Sequence, residues 1–328
     1  MESLRGLFHS LCIVVAGMIF SPMCLAEDTQ PVCEVPASIG NCHQPDFYLL
    51  KIEGCPEGVE IGQMPGCRFS AYRYRPNRKY HETSVEELIA SLRPNVPICF
   101  FVHGAFVSWD LAAEKSPDHY REIVHTSGHR PLHFIAVHWP SELNLLPCPP
   151  AALKQIEPRT NAIGMCLARF LTQVPADNPV CFMGHSYGAR VISVMLQAYS
   201  RGTVPEPVSP TTGCRRRIRV VLTAASINHQ LLNPGKELEH AIDRVECLLN
   251  FTNCFDPALQ AYALTEPCLI PPLGRVGFTC FDRMKLGWQA DKVKNRNVSL
   301  AVGCGHMAGR YFTRPEVMQP MIPYIYFD

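Results

Sequence analysis

Five short apolar runs, each followed by enough chain to cross back over a sheet, constrain this sequence more than any other feature. They are Pro97–Val102, Leu132–His138, Val180–Met183, Ile218–Ala224 and Cys247–Thr252. None shows the clean apolar–polar alternation of a strand with one wet face, so each reads as a strand buried on both sides. Helical spacing lies between them, at Ile163, Cys166, Leu167 and Phe170 within Arg159–Leu171, and at Val191, Ile192, Met195 and Leu196. Strands alternating with helices predict an α/β fold, a mostly parallel sheet covered by helices on both faces. A capping box, Ser84-Val-Glu-Glu87, opens a short helix that Pro94 closes. Further along, a helix is expected over Lys236–Val245 and a last strand over Val298–Val302. Residues 141–157 are Pro-rich and read as a short irregular insert, at most a small lid.

The chain has 328 residues, 47% hydrophobic and 18% charged, with a formal net charge of +1. That is too apolar for a disordered chain and too neutral for a nucleic-acid-binding protein, so no nucleic-acid partner is expected. Arg5, the apolar stretch Leu11–Phe20, a Pro-containing break and Ala26 together form a signal-peptide pattern, cut after Ala26. The apolar stretch would make about 16 Å of helix, half of a hydrocarbon core, so no stable membrane insertion is expected. The domain reading is therefore a signal peptide over 1–26, a Cys-rich segment over 27–80 that supplies the first strands (Phe47–Ile52 and Arg68–Tyr74), and a catalytic core over 81–328. The expected destination is outside the cytoplasm, periplasmic or secreted.

Sixteen cysteines fit such an oxidising compartment. Cys33, Cys42, Cys55 and Cys67 lack the tight pair that a zinc site usually has, so they read as disulfide partners in one of three connectivities. Cys148, Cys214 and the loop cysteines between 247 and 304 are also expected to pair. Cys99 and Cys181 sit in buried runs on neighbouring strands and read as free core thiols, with Cys166 on its helix face read the same way. No metal or other cofactor is expected.

The chemical signal is Gly184-His185-Ser186-Tyr187-Gly188, placed between a buried strand and an amphipathic helix. There the glycines allow a tight turn that pushes the Ser186 hydroxyl out of the backbone as a nucleophile. An oxyanion hole is expected from the backbone N–H of Tyr187 and, after the strand ending at Val102, from Ala105 or else Phe106. With chain order Ser, acid, His, the base is His306, since His240 falls in an expected helix and His229 precedes the strand that should carry the acid. Asp256, four residues beyond Thr252, is the favoured acid, with Asp282 and Asp291 as alternates. Asp256 also reads as a helix N-cap, because Pro257 follows it. Phe106, Trp109 and Trp139 are placed as a substrate pocket.

Taken together, Val102-His103-Gly104, Phe134-Ile-Ala-Val-His-Trp139-Pro140-Ser141, the Gly184–Gly188 segment and Gly305-His306 resemble the α/β-hydrolase superfamily. The likeness is greatest to bacterial serine-esterase-like members of unassigned substrate. It spans roughly residues 84–325 and leaves the Cys-rich extension outside. It implies the α/β-hydrolase fold and hydrolysis of carboxylic esters, of small molecules or lipids, through a Ser-His-Asp triad and an acyl-enzyme. The alternatives are an acyltransferase on the same triad and a non-catalytic binding protein on the same fold.

Overall fold

The computed structural model describes residues 47–75, 79–142 and 149–328. Nine strands form one sheet: β1 (Phe47–Glu53), β2 (Arg68–Tyr74), β3 (Tyr80–Thr83), β4 (Ile98–Val102), β5 (His133–His138), β6 (Val180–His185), β7 (Ile218–Thr223), β8 (Cys247–Thr252) and β9 (Val293–Asn297). Their spatial order is β3-β2-β1-β5-β4-β6-β7-β8-β9. Only the pairings of β2 with β1 and with β3 are antiparallel; the other six are parallel. This is the α/β fold with a mostly parallel sheet expected from the five apolar runs.

Because side chains alternate across a strand, each central strand feeds two cores. Ile98, Phe100 and Val102 point to one face with Phe182, Val220 and Leu222; α3 (Pro149–Leu171) and α4 (Gly188–Ser200) cover them. Cys99, Phe101, Phe134 and Met183 point to the other, against α2 (Trp109–Thr126) and α10 (Pro315–Tyr326). Between these come α1 (Val85–Ala90), α5 (Pro257–Ala263), α6 (Leu273–Val276), α7 (Cys280–Leu286), α8 (Ser299–Val302) and α9 (Ala308–Phe312). The expected capping box on α1 is formed in both directions between Ser84 and Glu87.

Three local expectations are corrected. The last strand is β9, not Val298–Val302, which is the helical turn α8. β9 reads VKNRN, an edge strand with four exposed polar residues, so it carries no apolar signal; cations there also guard an edge against stray pairing. The Ser299 N–H donates to Asn297 Oδ1 (2.9 Å), and this local turn takes the chain out of the sheet. Residues 236–245 form successive tight turns with i→i+3 bonds such as Ala241 N–H to Leu238 C=O (3.0 Å). The His240 N–H that an α-helix would need donates instead to Gln197 Oε1 (2.8 Å). The supposed irregular insert is helical from Pro149 onward, within α3, while 143–148 lie outside the described residues.

The cysteines divide differently from the expectation. Cys67 bonds to Cys166, so Cys166 is not a free core thiol and Cys67 does not pair within the N-terminal four. The chain entering β2 runs against α3, where the Arg169 guanidinium donates to the Cys67 carbonyl (2.8 Å), and this brings the two sulfurs together. Cys55 Sγ lies 3.6 Å from Cys166 Sγ and remains free. Among the described residues Cys214, Cys247, Cys254, Cys268, Cys280 and Cys304 are free as well, Cys247 opening β8 and Cys280 opening α7. Cys99 and Cys181 are free, buried and in register on β4 and β6. Cys12, Cys24, Cys33, Cys42 and Cys148 lie outside the described residues, as does the 1–26 segment.

Trp139 follows β5 and is 0% exposed, with its indole N–H donating to the His103 carbonyl (3.0 Å). Trp139→Ala should cost about 3–5 kcal/mol of stability through the cavity left in the core. Urea denaturation followed by circular dichroism measures it, and a loss below about 1 kcal/mol would contradict this packing.

Candidate active site

The sheet's connections reverse direction between β4 and β6, since β4 leads to β5 on one side while β6 leads to β7 on the other. Loops leaving the C-terminal ends of strands at such a point spread apart and leave a crevice. Four loops at this edge carry residues singled out from the sequence: Gly104–Phe106 after β4, Ser186 after β6, Asp256 after β8 and His306 beyond β9.

Ser186 stands in the left-handed backbone region with φ of 52°, an unfavourable conformation for a residue with a side chain. Bonds on both sides hold it there. Its N–H donates to the Thr223 carbonyl (3.0 Å), and its carbonyl accepts from Ala189 (3.1 Å) and Ser226 (3.2 Å). The turn also needs close backbone approach. A Cβ on Gly188 would stand 2.1 Å from the Val102 carbonyl oxygen, and one on Gly104 2.7 Å from Ser186 Cβ. Glycine is required at both positions for β4 and β6 to deliver their loops to one point.

Asp256 follows the end of β8 and is 0% exposed. Its Oδ1 accepts from the N–H groups of Ala258 (2.9 Å) and Leu259 (3.3 Å), capping α5 with Pro257 in the first turn. Its Oδ2 lies 2.7 Å from His306 Nδ1. His306 Nε2 in turn lies 3.1 Å from Ser186 Oγ. An unbroken line therefore runs from carboxylate to imidazole to hydroxyl. The carboxylate as acceptor assigns the ring proton to Nδ1 and leaves Nε2 as the acceptor for the Ser186 O–H. Burial works against a charged His306, but the charge and hydrogen bond of Asp256 outweigh it and raise the pKa above the ordinary 6.5.

Three other histidines lie at this edge of the sheet, and burial keeps all of them neutral. His185 falls well below its ordinary value, with its Nδ1 3.1 Å from Thr223 Oγ1. His103 is pushed down to about 3 by burial and by His138. His138 is pushed down to about 4 by burial and by Lys51. His103 Nδ1 donates to the Gly104 carbonyl (2.8 Å), bracing the loop that faces Ser186. No competing positive charge is thus placed beside His306 by these rings.

The other expected residues fall as follows. Tyr187 is buried at the start of α4, and the Arg190 and Val191 N–H groups donate to its carbonyl (3.0 and 3.1 Å). Ala105 and Phe106 are half-buried in the loop after β4. The Phe106 N–H is committed to the Ser141 carbonyl (3.0 Å), which removes it as the alternative oxyanion donor. Trp109 is half-buried at the start of α2, with its ring 4.8 Å from Tyr72 and 5.4 Å from His138. Trp139 stacks on His103 with ring centroids 5.7 Å apart. Buried on the inner side of that loop, it offers no surface to a substrate, so its placement in a pocket is corrected. Asp282 caps α7 and bonds His229 Nδ1 (2.7 Å), and Asp291 is exposed near the start of β9, so neither alternate acid meets His306.

Two further residues at this edge are not among the expected site residues, although Ser141 closes the segment that carries the resemblance. Ser141 pins the loop after β4, since the Val107 N–H donates to its Oγ (3.1 Å). Ser226, three residues past β7, brings its Oγ to 3.1 Å from Ser186 Oγ. A lone serine has no spacing to mark it, so only the meeting of the two loops reveals its place. A surface cleft of about 370 Å³ lies at the opposite end of the sheet, beside Pro97, Pro179 and Arg217. Its Arg130 and Arg217 are paired with Asp328 and Glu246.

No protein-family model matches this chain, and no curated protein matches it. Among solved structures, a "putative cell surface hydrolase" from Lactobacillus plantarum WCFS1 aligns at a TM-score of 0.38 and 9% identity, covering 72% of this chain and 94% of that one. An acetyl xylan esterase, solved as an iodinated complex, aligns at a TM-score of 0.29 and 13% identity, covering 72% of this chain and 95% of that one. Likenesses this distant leave the chemistry to be argued from the residues themselves.

Proposed function

We propose that this protein is an exported serine hydrolase that cleaves carboxylic esters through an acyl-enzyme. The observation that carries the reading is the hydrogen-bonded line from Asp256 through His306 to Ser186, with Ser186 held at φ of 52°. A Ser in an ordinary strand–helix loop has no need of that backbone, nor of a base whose proton is fixed on the far nitrogen.

In the first half-reaction Ser186 Oγ attacks the ester carbonyl while its proton passes to His306 Nε2. Asp256 stabilises the imidazolium without taking the proton. The oxyanion is held by the Tyr187 N–H at the start of α4 and by the Ala105 N–H, the neighbouring Phe106 N–H being bound to Ser141. His306 then gives its proton to the leaving alkoxide. In the second half-reaction water adds to the acyl carbon as His306 removes its proton, and Ser186 departs protonated. Phe106 in the loop after β4 and Trp109 at the start of α2, both half-buried, are the residues we assign to the acyl or alcohol group.

Three outcomes test this. A fluorophosphonate probe should label wild-type protein at Ser186, and Ser186→Ala should abolish both labelling and hydrolysis of p-nitrophenyl acetate; activity surviving in that variant would defeat the mechanism. His306 acts as a base only when neutral, so kcat/KM should rise with pH through a midpoint above 6.5, the direction in which Asp256 moves it. Asp256→Asn removes the charge that raises this pKa. It should lower the midpoint and reduce kcat by about 10⁴-fold through the wrong ring tautomer. Equal midpoints in the two proteins would dissociate Asp256 from the base.

A further inference from the structure

Ser186 Oγ has a second neighbour besides His306. Ser226 Oγ lies 3.1 Å away and belongs to a residue only 4% exposed. The segment that carries it is not free to swing. Ala224 takes a φ of 47°, turning the chain sharply at the end of β7. The Ser226 N–H then donates to the Ser186 carbonyl (3.2 Å). On the outer side, the Gly274 N–H donates to the Ala225 carbonyl (2.9 Å) and the Leu273 N–H to the Ile227 carbonyl (2.8 Å). A Cβ on Gly274 would stand 2.4 Å from the Ala225 nitrogen, so α6 is pressed against this turn. Ser226 is thereby fixed from both sides with its hydroxyl at the nucleophile.

Proton counting assigns the direction of this contact. The His306 ring proton sits on Nδ1, facing Asp256 (2.7 Å), so Nε2 must accept. The single proton of Ser186 goes to that nitrogen (3.1 Å). In the contact between the two serines only Ser226 has a proton to give, so Ser226 donates and Ser186 Oγ accepts. The weaker alternative acceptor, the Ala224 carbonyl, is 3.4 Å away.

We propose that Ser226 is a further catalytic residue, one that acts chiefly when the acyl-enzyme is broken down; this rests on the serine hydrolase function proposed for the same site. A hydrogen bond donated to Ser186 Oγ has unequal effects in the two half-reactions. During acylation a lone pair of Oγ forms the new C–O bond, and the donor, by drawing on that oxygen, gives no help to attack. The Oγ of the resulting ester is a poor acceptor, so the bond is weak in the acyl-enzyme. During deacylation water has added to the acyl carbon, its proton is on His306 Nε2, and the C–Oγ bond breaks with its electron pair going to Oγ. Negative charge grows on that oxygen, and the Ser226 hydroxyl strengthens its bond to it as His306 returns the proton. Ser226 keeps its own proton throughout. A group that binds the transition state more tightly than the ground state accelerates that step alone.

The test separates the two steps with p-nitrophenyl acetate. In Ser226→Ala, deacylation should slow about tenfold, the loss expected for one hydrogen bond to a charged oxygen. It is read as slower decay of the acetyl-Ser186 adduct by mass spectrometry and as a lower steady-state rate after a clear burst. The burst rate, and the rate of fluorophosphonate labelling, should stay within about threefold of wild type, because both report attack by Ser186. Ser226→Cys, with a weaker donor of similar size, should fall between the two. If adduct decay is unchanged, or if labelling and decay fall together, Ser226 only supports the fold of the turn and the proposal is overturned. Failure of both variants to fold, judged by circular dichroism, overturns it in the same way. Absence of any acetyl adduct on Ser186 in the wild-type protein would instead remove the hydrolase function and this inference with it.

Discussion

Everything at the candidate site depends on how closely two backbones approach at the point where the sheet changes direction. The loop leaving β4 and the turn leaving β6 touch through Gly104 and Gly188, with no room for a Cβ on either. That contact places the Ser186 hydroxyl and the loop N–H groups within one small volume. Strand register does the rest, since Val102 and Gly184 are paired across β4 and β6. A side chain at either glycine would have to move main chain, which is stiff because both strands are buried on both faces.

In the proposed mechanism one of the polar groups around that contact carries the chemistry and the rest stay silent. His103, His138 and His185 are buried, and burial holds each of them neutral rather than titrating near neutrality. His306 differs because a carboxylate faces it, and its side chain is 25% exposed. Its ring, with one nitrogen beside a serine, is thus the one of the four that keeps contact with solvent. The same low-dielectric setting that silences three histidines strengthens the attraction of Asp256 for the fourth.

Much of this was legible in the sequence, and the parts that were not have physical reasons. Strands buried on both faces announce themselves by apolar runs, so β4 to β8 and their parallel order could be anticipated. β9 could not, because an edge strand that pairs on one side only needs no apolar face, and its lysine and arginine look like a loop. The turns over 236–245 have helical spacing at Leu238, Ala241, Ile242 and Val245, all buried, yet a side chain from α4 takes one of the backbone donors. Ser186, His306 and Asp256 stand out because glycine-rich turns, chain order and strand ends select them. Ser226 and Ser141 act through loops distant in sequence, and the Cys67–Cys166 bond joins residues 99 apart. Such meetings are invisible until the chain is folded.

The two oxygens of Asp256 have separate employments, one closing the end of α5 and the other facing His306. The helix cap alone therefore gives the fold a use for an aspartate here, independent of any reaction. The His306 ring has no such second employment: among the described residues its hydrogen bonds go to Asp256 and Ser186. In chains of this architecture, the histidine is therefore the more telling residue.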